Sequence, residues 1–93
     1  MTCVSSGELT SSATVVTGRG ILNAIQIITD GTNDATVILY DNTAASGKKL
    51  HEAVVTGANN DAFYNWDCGV RAEIGIHAAI SGTGASCIVY HGG

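Results

Sequence analysis

Glycine sets the strongest constraint on this chain. Twelve glycines and no proline occur in 93 residues. Most of the glycines fall between apolar stretches, at Gly7, Gly18 and Gly20, Gly31, Gly47, Gly57, Gly69, Gly82 and Gly84, and Gly92 and Gly93. Such spacing punctuates strands. The stretches themselves are rich in Val, Ile and Thr, whose branched side chains pack well on a pleated sheet and lose rotamer freedom in a helix. Seven strands are read, over 9–17, 20–29, 35–41, 48–56, 62–68, 70–80 and 86–91. No segment of useful length has helical periodicity. The expected fold is all-β: a single-domain antiparallel β-sandwich or barrel, jelly-roll-like, of about seven to eight short strands. Residues 1–8 carry no periodicity and are expected as an N-terminal arm that docks on a partner or stays mobile, with the β domain over 9–93.

A chain of 9.5 kDa fits one domain and leaves no room for a second core. It is 45% hydrophobic and 13% charged, against roughly 25% charge in an average globular domain, which excludes disorder. Its net charge of −4 offers no basic stripe to neutralise phosphates, so nucleic acid is not an expected partner. No apolar run is long enough for a bilayer, and MTCVSSGELT lacks the charged start and apolar stretch of a signal peptide. The expectation is a soluble, cytosolically made protein with no membrane partner. So short a chain buries only about 60–65% of its unfolded surface. With few surface charges, part of the remaining apolar surface is expected to meet another chain.

Alternation is clearest from Val70 to Ile80, where Val70, Ala72, Ile74, Ile76, Ala78 and Ile80 share one face and Arg71, Glu73, Gly75, His77 and Ala79 the other. The SGTGA turn then predicts a hairpin with the last strand. A turn centred on Thr83 puts Ile88 and Tyr90 inside, with Cys87, Val89 and His91 joining His77 outside. Between Tyr40 and Lys48 the strand pattern lapses; Asp41 or Asn42 is suited to cap a short turn that Gly47 closes. GANNDA over 57–62 reads as a loop tip.

The ionisable residues are not spaced as a known catalytic signature, so no enzyme and no cofactor is expected. Cys3, Cys68 and Cys87 are odd in number and lack a C-x-x-C pair, which argues against a disulfide framework and a zinc ribbon. They read as buried or semi-buried thiols, with a Cys68–Cys87 bridge conceivable only if their strands neighbour. Cys87, His77 and His91 offer three N/S ligands, but residues four apart on a strand lie about 13 Å apart, too far for one ion. Asp30, Asn33 and Asp34 lack the later bidentate Glu of an EF-hand and read as a hairpin turn. In AFYNWDC, period-two alternation puts Tyr64 and Trp66 on one face and Phe63 on the other, which favours a buried Trp over an exposed sugar-stacking ring.

The pattern GRGILNAIQIITDGTNDATVILYDNTAASGKKL, followed by IGIHAAISGTGASCIVYH, resembles a recurring class of small tailed-phage virion proteins. The resemblance covers about residues 18 to 91: Gly18, Gly20 and Leu22 in an opening strand, Ala35 to Gly47 in a block strongest at YDNTAASG, and Val89 and Tyr90 near the end. It implies a capsid decoration (cement) protein that binds the outer surface of the assembled head and stabilises it by mass action. The partner would be the lattice of the major capsid protein, and the location the virion surface, after synthesis in the host cytoplasm. A homotrimer is expected, with Gly75, His77, Ala79, Val89 and His91 near its axis. Candidate contacts to capsid or ligand are Asp41, Asn42, Lys48, Lys49, Asn59, Asn60 and Trp66. The alternative is a carbohydrate- or receptor-binding module on a tail or fibre.

Overall fold

A computed structural model describes residues 3–59 and 61–92. Eight strands follow one another: β1 (Val4–Leu9), β2 (Ala13–Thr17), β3 (Gly20–Ile28), β4 (Ala35–Asp41), β5 (Lys48–Val55), β6 (Asp61–Ala72), β7 (Gly75–Ser81) and β8 (Ser86–Gly92). A 3-10 turn, Gly57–Asn59, lies between β5 and β6. The strands form two four-stranded sheets, β1-β8-β3-β6 and β2-β7-β4-β5, which makes the fold a β-sandwich.

The pairing explains the order. β1 lies antiparallel to β8, β2 to β7, β3 to β6 and β4 to β5. Paired residues step inward together, from Val4 with His91 through Ala13 with Ala78 and Ile21 with Arg71 to Asp41 with Lys48. The whole chain is thus one long hairpin with its apex at 42–47. Pairing of β3 with β8 and of β4 with β7 rolls that hairpin into two layers, the double-sheet jelly-roll arrangement. The core lies between the layers: Leu22, Ile25, Ile27, Cys87 and Val89 from the first sheet meet Val37, Leu39, Ile76 and Ala78 from the second, all fully buried. Period-two alternation with one face inward produces this directly.

One carboxylate holds the corner where β6 leaves the first sheet for β7 in the second. Asp41, at the end of β4, is 6% exposed. Its Oδ1 accepts from the N–H groups of Ile74 at 2.8 Å, Glu73 at 3.0 Å and Gly75 at 3.4 Å, and its Oδ2 from Glu73 at 3.1 Å. These donors have left the ladder at the bend and would otherwise be orphaned. The next residue must be glycine: a Cβ on Gly75 would lie 2.6 Å from the Val16 carbonyl oxygen. At the opposite end, Gly82 turns β7 toward β8 with φ +112° and no room for a Cβ against the Asp34 carbonyl.

Several expectations are corrected. Residues 4–8, expected in an arm, form most of β1 and pair with β8. The expected strand 9–17 is interrupted, because β1 ends at Leu9 in one sheet and β2 begins at Ala13 in the other. The expected strand 70–80 bends at Glu73 and Ile74, leaving Ile74 56% exposed. β7 and β8 do not pair as a hairpin but belong to opposite sheets. The inward face therefore does not carry over through the SGTGA turn: Cys87 and Val89 are buried in the core, whereas Ile88 and Tyr90 are only half-buried.

Replacing Asp41 with Ala strands three N–H donors at a buried corner and is expected to cost about 2–3 kcal/mol, read as a lower urea midpoint. Asp41→Asn, which keeps one acceptor oxygen, is expected to lose less. Hydrogen bonds, the Ile74 N–H first, hold the Asp41 pKa below its ordinary 3.8. Its contribution is therefore present above the unfolded value and lost as pH falls through the folded one.

Candidate functional site

The residues expected near an oligomer axis do not share a surface. Gly75 is buried at the start of β7, and Val89 lies in the core. His77 and Ala79 point outward from the second sheet, beside Tyr40 and Ile38 of β4. His91 is half-buried on the first sheet, opposite Leu22. The same placement separates Cys87, His91 and His77. Cys87 is a free thiol, its pKa pushed up to about 11 by burial, which leaves it a small hydrophobe. The Cys68 side chain lies outside those described.

The expected contact residues also divide. Asp41 is buried at its corner and presents nothing to a partner. Asn42 is half-buried and organises the hairpin apex: its Nδ2 donates to the Ser46 carbonyl at 2.9 Å and its Oδ1 accepts from Thr43 N–H at 2.7 Å. No turn of helix forms between β4 and β5, so Asn42 braces a bend and does not cap the helical turn that was expected. Lys48 and Lys49 are exposed, and Lys49 Nζ donates to Glu52 Oε1 at 3.0 Å. Asn59 ends the 3-10 turn, its side chain outside those described, and Asn60 lies outside the described residues.

Trp66 packs inward of the sheet edges. His51, on the second sheet, lies with its ring centroid 4.8 Å from both Tyr64 and Trp66 of β6, edge-on to Trp66. These three rings close the seam between β5 and β6, the free edges of the two sheets. His51 Nε2 is buried without a hydrogen-bond partner, and desolvation lowers the pKa of the ring from 6.5. Phe63, one residue before Tyr64, points to the other side of its sheet, as alternation requires.

That outer side of the first sheet carries an exposed aromatic ring among apolar neighbours. The ladder sets Phe63, Gln26 and Ile88 in one row, Asn65, Ala24 and Tyr90 in the next, and Asp61, Ile28 and Ser86 on the other flank. Phe63 is 58% exposed and meets Tyr90 edge-on at 6.2 Å, across the small Ala24. Polar pairs rim the patch: Gln26 Nε2 donates to Asp61 Oδ2 at 3.0 Å, and Ser86 Oγ to Glu8 Oε2 at 2.9 Å. An apolar centre with a polar rim is the composition of an interaction surface. The parity of β6 puts Phe63 outside already in the sequence; that Tyr90 joins it follows only from the pairing of β8 with β3.

The outer side of the second sheet mixes polar groups with Val54, which is 61% exposed opposite Thr36. There Thr14 Oγ1 donates to the Thr43 carbonyl at 3.0 Å and lies 2.9 Å from His77 Nδ1. With its only proton engaged, the hydroxyl must accept from Nδ1–H, which leaves the His77 lone pair on Nε2.

No protein family, curated protein or solved structure was found to match the chain.

The buried His51 ring gives a signed pH dependence. Its folded pKa lies below the unfolded value, so the unfolded chain takes up the proton first and stability falls as pH drops below about 6.5. Denaturation midpoints measured from pH 7.5 to 5 are expected to fall, and His51→Phe is expected to remove that part of the slope.

Proposed function

We propose that this chain is a non-enzymatic structural protein of a tailed-phage virion, of the decoration type, which binds the assembled head as an oligomer through the outer face of its first sheet. The observation that carries this reading is the apolar stripe in which Phe63 is exposed and Tyr90, Ile88 and Ile28 are half-buried beside it, with its polar rim. Burial of such a stripe contributes roughly 25 cal/mol per Å², repeated at every copy on a lattice. Its partner in this reading is the lattice of the major capsid protein, and the expected oligomer is a homotrimer. The jelly roll accommodates this role, although it hosts unrelated functions as well. Support therefore comes from the surface and from the resemblance centred on YDNTAASG.

Light scattering on the purified chain, followed by co-sedimentation with expanded capsids of a phage whose genome encodes it, tests the proposal. The expected results are a mass near three times that of one chain and pelleting only when capsids are present. Phe63→Ser, an exposed change, is expected to leave the melting temperature within a few degrees and to abolish pelleting. A monomer that ignores capsids overturns the reading. A carbohydrate-binding module then takes its place, with Phe63 as the ring presented for stacking, since Trp66 is already packed on His51.

A further inference from the structure

The two arginines of this acidic chain lie beside the same corner that Asp41 holds. Arg19 occupies the turn between β2 and β3, where Gly18 N–H donates to the Ile74 carbonyl at 2.9 Å. Arg71 is in β6, two residues before the bend, paired with Ile21 of β3. Together with Gly20 and Ile21 the two side chains line a shallow open cleft of about 130 Å³. Both arginine-bearing segments are thus tied to the Glu73–Ile74 bend, one by a hydrogen bond and one by the chain itself. The bend in turn is fixed by the Asp41 carboxylate.

Glu73 reaches both guanidinium groups, and neither closely. Its Oε2 lies 3.6 Å from Arg19 Nε and its Oε1 3.9 Å from Arg71 Nη1, with side-chain exposures of 77%, 70% and 58% for Arg19, Arg71 and Glu73. Charge-assisted hydrogen bonds run about 2.7–2.9 Å, so the carboxylate spans the two cations without satisfying their donors. Two positive charges face one negative charge across the cleft. Asp41, the other carboxylate of the corner, is turned inward onto backbone N–H groups.

We propose that the Arg19–Arg71 cleft is an oxyanion-binding site for a carboxylate or phosphate group, in which Glu73, beside the cleft, is an internal competitor for the two guanidinium groups. Arginine suits this chemistry because its planar fork of donors matches two oxygens of either group. An arriving oxyanion displaces Glu73 outward and takes both guanidinium groups at full hydrogen-bond distance. The site is independent of the apolar stripe around Phe63 and of the virion reading.

The test is titration of the ¹⁵N-labelled full chain with inorganic phosphate and, separately, acetate, each at an ionic strength held constant with sodium chloride. The probes are the backbone amides of Gly20, Ile21 and Arg71 and the arginine Nε–H signals. Saturable shifts confined to these groups are expected with at least one of the two anions, and the stronger of the two identifies the preferred chemistry. Glu73→Gln removes the competitor and is expected to tighten binding by about threefold to tenfold, while Arg19→Ala and Arg71→Ala each weaken it by a similar factor. Four exposed-residue chains that fold alike, checked by their unperturbed core amides, keep the comparison clean. Shifts no larger than those from chloride alone mean screening only and overturn the proposal. So does a Glu73→Gln chain that binds no better than the parent.

Discussion

The carboxylate of Asp41 is the interaction on which the arrangement of this molecule turns. A rolled hairpin must carry each arm across from one sheet to the other, and every crossing takes backbone N–H groups out of a ladder. At the β6–β7 crossing the donors of Glu73, Ile74 and Gly75 converge on one buried side chain at the end of β4. The Gly75 N–H is buried there and those of Glu73 and Ile74 are partly so, with β2 and the apex segment so close that a Cβ on Gly75 would meet the Val16 and Asn42 carbonyl oxygens. A charged acceptor satisfies several donors at once and gains strength from the low dielectric around it. The corner is fixed as a result, and so are the positions of everything attached to it.

What is attached differs on each side of the bend. Toward the solvent, Glu73 and the two arginines form a loose ionic group whose geometry is inherited from the corner rather than from their own contacts. Toward the core, Ala72 and Ile76 are fully buried on either side of it. Far from the corner, along the free edges of β5 and β6, the seam is closed by aromatic stacking on an imidazole that has no hydrogen-bond partner at Nε2. Rigidity at one place and pH sensitivity at another follow from the same requirement, that each polar group leaving water find a partner or remain neutral.

The two outer faces differ in their chemistry. The second sheet presents hydroxyls, His77, Tyr40 and the Lys49–Glu52 pair, together with the exposed Val54. The first sheet presents Phe63 and Tyr90 across Ala24, where small and large side chains alternate and leave a ring edge in solvent. A partner seated on the first sheet would leave the arginine cleft, the hairpin apex and the second sheet to make separate contacts.

Much of this was determined by the sequence alone. Glycine punctuation and β-branched stretches fixed the all-β class, and period-two alternation placed Ala72, Ile76 and Ala78 inward and Phe63 opposite Tyr64, because side-chain direction along a strand is a local property. Only the tertiary structure decided which strands pair. The residues from Val70 to Ile80 alternate without interruption through a bend, since nothing in a local pattern records that Asp41, some thirty residues earlier, satisfies the N–H groups freed at Glu73 and Ile74. The SGTGA segment is as compatible with a crossing between sheets as with a hairpin, and that choice reversed the faces of Cys87, Val89, Ile88 and Tyr90. The contact stripe and the arginine cleft join residues far apart in the chain. Their proximity is a consequence of antiparallel pairing across the rolled hairpin, a global property that burial of both sheets selects and no single segment encodes.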